Sequence, residues 1–87
     1  MSFELSLTLP GDARYCETLR AVASQAAFHV GCGEEQAARF GAEVEDVMRS
    51  CLDDASTIAV VFRQAGEQLK VVLTSGAGIP RTLLIDI

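Results

Sequence analysis

The chain has 87 residues, 49% of them hydrophobic and 22% charged, with a formal net charge of -5. That is enough for one domain over residues 1–87, too apolar for disorder and too short for a second core. The seven Lys and Arg are scattered, so nucleic acid, whose phosphates require clustered cations, is excluded as a partner, whereas a protein partner fits an acidic surface.

Phe3, Leu5, Leu7 and Leu9 alternate with Glu4, Ser6 and Thr8, which predicts a strand over residues 2–9 with one buried face. Pro10-Gly11 stops it, and the Asp12 carboxylate can accept the first free amide protons of a helix. Tyr15, Leu19, Val22, Ala23, Ala26 and Val30 recur at spacings of three and four, one apolar stripe along that helix. Gly31 and Gly33, flanking Cys32, are expected to end it, because glycine readily takes the left-handed conformation. A second helix starts at Glu34-Glu35, whose charges suit the positive end of its dipole. Its stripe is Ala37, Phe40, Val44, Val47, Met48 and Cys51.

Residues 57–63 and 68–74 are rich in β-branched side chains, and the link Gln64-Ala65-Gly66-Glu67 predicts an antiparallel hairpin. Ser75-Gly76-Ala77-Gly78 is a flexible turn, and residues 82–87 read as a last strand. The order β-α-α-β-β-β predicts an α+β fold, two helices packed on one face of a four-stranded mixed or antiparallel sheet.

No run approaches the roughly 20 apolar residues of a membrane span, and Met1-Ser2-Phe3-Glu4-Leu5 lacks the basic and apolar regions of a signal peptide. Cys16, Cys32 and Cys51 have no metal-pair spacing, and their odd number suits reduced thiols in the cytoplasm. Cys51 falls on an apolar stripe and reads as packing, while Cys32, in a turn, is a candidate reactive thiol with nothing nearby to lower its pKa. His29, near the end of the first helix, suits that helix's C-terminus better than a metal, since it has no ligand at useful spacing. Asp53-Asp54 reads as a solvated pair after the second helix.

Taken together, Leu7-Thr8-Leu9-Pro10, Arg14-Tyr15, Leu19-Arg20, Gly31-Cys32-Gly33-Glu34-Glu35 and Val72-Leu73-Thr74-Ser75-Gly76-Ala77-Gly78-Ile79-Pro80 resemble the bacterial anti-sigma factor serine kinases. These belong to the GHKL ATPase superfamily, together with the histidine kinases, and the likeness covers nearly the whole chain. The resemblance implies an adenine-reading Asp before two glycines; here Gly76 and Gly78 match, but Thr74 stands at the Asp position. It also implies a Glu, then a Mg²⁺-binding Asn four residues on, then often a His; here the series is Glu45, Arg49, Asp53. Guanidinium has no lone pair for a metal. The family's glycine-rich lid has no counterpart, since only Arg81 separates Pro80 from the last strand.

The resemblance, with these departures, implies a degenerate regulatory module that acts by protein–protein interaction, a pseudo-enzyme without ATP chemistry. In this reading Glu45 is a vestigial base, Arg49, Thr74, Gly76 and Gly78 line a vestigial cofactor site, and Arg49 pairs with Glu45 one turn back. The partner implied is a sigma factor, an anti-sigma antagonist or a related regulator; a homodimer through the apolar last strand is a further expectation. The alternatives are an ATP- and Mg²⁺-using serine kinase with an atypical site, or one half of a split two-protein module.

Overall fold

The computed structural model describes residues 3–52, 57–75 and 80–87. Strand β1 (Glu4–Pro10) leads through one 3-10 turn (Ala13–Tyr15) into helix α1 (Cys16–His29) and then helix α2 (Glu34–Ser50). Strands β2 (Thr57–Ala65), β3 (Gln68–Ser75) and β4 (Arg81–Asp86) follow. The sheet order is β1-β2-β3-β4 and every pairing is antiparallel, so the fold is a two-layer α+β arrangement with β1 and β4 at the edges.

Directly opposed residues of an antiparallel pair share a face. Ile58, Val60 and Phe62 of β2 lie opposite Leu9, Leu7 and Leu5 on one side and Ser75, Leu73 and Val71 on the other. This face carries the buried side chains, extended by Leu69 and by Leu83 and Ile85 of β4. The helices cover it with Cys16, Leu19, Ala23, Ala26 and Ala27 from α1 and Ala37, Phe40, Val44 and Met48 from α2. Burying side chains such as Phe40 and Phe62 stabilises by about 1.5–3 kcal/mol each. The opposite face, with Val61, Arg63, Lys70, Val72 and Leu84, has no helix over it among the described residues.

Asp12 does cap, but it caps the 3-10 turn, accepting from the Arg14 backbone N–H at 2.9 Å. The end of α1 is a Schellman closure. The Cys32 N–H donates to the Ala27 carbonyl at 3.0 Å and the Gly31 N–H to that of Phe28 at 3.2 Å, with Gly31 at a φ of 114°. Gly33 does not share this role. It is extended at φ -67° and starts α2, its carbonyl accepting from the Ala37 N–H at 2.9 Å. The β2–β3 link is tighter than the sequence suggests, because Ala65 pairs with Gln68 and only Gly66-Glu67 turns, Gly66 supplying the positive φ of 61°.

α1 and α2 approach closely at Gly41. A Cβ there would fall on the Ser24 Oγ and 2.8 Å from the Arg20 carbonyl oxygen. Glycine inside a helix costs about 1 kcal/mol relative to alanine, and here the missing methyl is what lets two backbones meet.

Candidate functional site

The close approach at Gly41 decides what lies one turn further along α2. Arg20, whose carbonyl touches Gly41, swings its guanidinium over to Glu45, with Nη1 at 3.4 Å from Oε1. Arg49, four residues on from Glu45, donates Nη2 to Oε2 at 3.1 Å. Both carboxylate oxygens are therefore engaged by cations, and the side chain of Glu45 is only 10% exposed. The arginines themselves are half in solvent. A buried carboxylate is costly unless paired, and this clamp pairs it twice.

Cys16 lies one turn before Arg20 and is fully buried. Burial pushes its thiol pKa up, with the Arg49 cation opposing and the Glu45 carboxylate adding to the rise. Cys32, for which the sequence offers no neighbour to lower its pKa, is also buried, and desolvation raises it too. Neither has the electropositive, accessible surroundings of a nucleophilic cysteine. Cys51 is half-buried and packs against the core, as its stripe position predicts.

The structure brings together Glu45 and Arg49 and adds Arg20, which the apolar stripe of α1 gave no reason to single out. It does not bring Thr74 to them. Thr74 pairs with Ala59, so its side chain lies on the sheet face away from the helices, while Glu45 lies within the helix layer. Ser75, opposite Ile58, is the β3 residue that faces the helices at this end. Gly76, Gly78, Asp53 and Asp54 lie outside the described residues.

The clamp does not suit Mg²⁺, which binds through oxygen donors. Two of its three members are guanidinium groups, and the carboxylate that remains is already bonded to both. What the clamp does is tie α1 to α2 by charge at the point where their backbones already touch.

His29 ends α1, and its ring stands 5.3 Å from that of Phe3, tilted by 47°. This pair closes one end of an apolar groove of about 440 Å³ between α1 and β1, lined by Phe3, Leu5, Val22 and Ala26 with Ala21 and Gln25 at its lip. Leu5 is the β1 leucine the helices fail to cover, at 38% exposed. The sequence pattern marked Leu5 as core; only the placement of α1 reveals it as rim. Phe28 and Leu84 are exposed apolar side chains elsewhere on the surface.

No protein-family model matches the chain, and no curated protein matches it. Among the described residues no helix is long and apolar enough to cross a membrane.

Proposed function

We propose that this protein is a cytoplasmic regulatory module of the anti-sigma kinase type that works by binding another protein and performs no ATP chemistry. The observation that carries this reading is the Arg20–Glu45–Arg49 clamp. Glu45 stands where the resemblance would put the water-activating base, and Arg49 where it would put the Mg²⁺ ligand. Each oxygen of Glu45 accepts from a guanidinium group, so the carboxylate is held between two cations instead of standing open to a water. The position has become a structural contact between helices. The exposed Phe28 and Leu84 and the open groove at Leu5 supply apolar surface for a partner.

The partner class follows from the resemblance: a sigma factor, its antagonist or a related regulator. Isothermal calorimetry with ATP and Mg²⁺ tests the reading. No heat is expected up to millimolar nucleotide. Micromolar binding would overturn it and favour the atypical kinase.

A further inference from the structure

We infer that the outer edge of β1 is a self-association surface, on which a second copy of this chain pairs antiparallel to extend the sheet. The inference does not depend on the regulatory reading above. It begins with hydrogen-bond direction. The Gln64 N–H donates to the Phe3 carbonyl at 2.8 Å, so residues 3, 5, 7 and 9 turn their backbone groups toward β2. Glu4, Ser6 and Thr8 therefore turn theirs outward. Pro10 closes the row, since it has no N–H and its carbonyl accepts from the Asp12 N–H at 2.8 Å.

A second β1 matches this row in one register. With Ser6 opposite Ser6 of the second copy, Glu4 meets Thr8 and Thr8 meets Glu4, so each outward N–H and C=O finds a partner. No other antiparallel register uses all three outward residues, and centring the pair on Glu4 would oppose two carboxylates. In the matched register Leu5 faces Leu7 of the second copy on the helix side. The least covered leucine of the strand thus gains an apolar neighbour, and the two grooves beside α1 face each other across the two-fold axis.

Charge permits the approach despite the net -5. Glu4 is paired with Arg63 at 2.9 Å and Asp12 with Arg14 at 2.8 Å, so the carboxylate on the strand and the one just past its end are compensated. Glu34, Glu35, Glu43 and Asp46 all lie on α2, the helix that contacts β4 at the other side of the sheet. Two copies joined at β1 keep these acidic surfaces apart. The joint follows a strand of seven residues, about 20 Å long, so it is a weak interface that forms at high micromolar concentration.

Sedimentation equilibrium of the full chain from micromolar to millimolar loading tests this. A monomer–dimer equilibrium is expected. Ser6→Lys places like charges directly opposite each other and should weaken the dimer by about tenfold or more, with an unchanged melting curve because Ser6 is exposed. Leu84→Lys, on β4, should leave the dimer intact. Ser6→Cys should oxidise to a disulfide-linked dimer that the native chain does not form, since opposed Cα atoms at about 5.5 Å suit a disulfide. A native chain that stays monomeric throughout overturns the inference. So does a dimer that Leu84→Lys dissociates and Ser6→Lys does not.

Discussion

β1 and β4 bound the same sheet, and each is an edge strand with apolar residues on its helix side, yet the rest of the molecule treats them differently. At β4 the Ile87 N–H donates to the Glu67 carbonyl at 2.8 Å, which turns the backbone of Thr82, Leu84 and Asp86 outward. One of those outward carbonyls is taken: Gln36 of α2 reaches over and donates Nε2 to the Asp86 oxygen at 2.6 Å. At β1 no helix side chain does the same among the described residues, and Leu5 stands half open beside a groove. Exposed edges invite pairing, and proteins guard the ones that must stay single. The lesson is that the helix layer sits off-centre. α2 guards its edge, and α1, drawn against α2, leaves the other uncovered.

That contrast can be broken first at Gly41, the residue that lets α1 close on α2. Gly41→Ala puts a methyl 2.8 Å from the Arg20 carbonyl, and a backbone oxygen cannot rotate aside. Overpacking of this kind costs about 1–3 kcal/mol, which for a domain of this size lowers the melting temperature by about 4–8 °C per kcal/mol. The helix-propensity gain of about 1 kcal/mol offsets part of it. Thermal melts should show a net loss of up to about 2 kcal/mol, and the salt-bridge reach from Arg20 to Glu45 should lengthen with it. A variant as stable as the native chain would mean that the helices do not meet here.

Gln36→Ala removes the guard from β4. The lost hydrogen bond is worth about 0.5–1.5 kcal/mol in chemical denaturation. Its sharper effect is on assembly. A chain open at β1 alone stops at two copies, whereas one open at both edges can continue as an open array. At millimolar loading the variant should sediment heavier than a dimer. If it does not, then something other than Gln36 protects β4.

Much of this was legible in the chain. The order of elements, the apolar stripes, the hairpin and the Glu45–Arg49 spacing follow from periodicities of two, three and four. The off-centre helix layer was not, because it depends on where two helices touch, and stripes report which face is buried without saying how near the neighbour is. Gly41 carried the one available signal, since a glycine within a helical pattern is disfavoured unless something needs the space. Glu45 was hidden by its own chemistry. A carboxylate beside Glu43 and Asp46 reads as solvated, and half of what makes its burial tolerable is Arg20, twenty-five residues away and joined to it only by the fold. The face of Thr74 likewise depended on pairing register, which inverts with a slip of one residue.

The smallest effect concerns how β1 ends. Arg14 donates its side chain and its backbone N–H to the Asp12 carboxylate, which together hold that carboxyl below the usual aspartate value of 3.8. A folded-state pKa lowered in this way contributes stability that is present above the unfolded value and lost as pH falls through the folded one. The guard on β4 is an amide bonded to a main-chain carbonyl, so that bond has no titrating partner. Acid should therefore loosen the exit of β1 through this pair and leave the Gln36 contact unchanged. Asp12→Asn keeps an acceptor for the Arg14 N–H and removes the charge. The native chain should exceed the variant slightly in stability at neutral pH, and the difference should vanish in acid below the aspartate range. It should also shrink in high salt, because both side chains are in water. A difference that persists at low pH would assign the capping role to shape alone and leave the charge without effect on the strand.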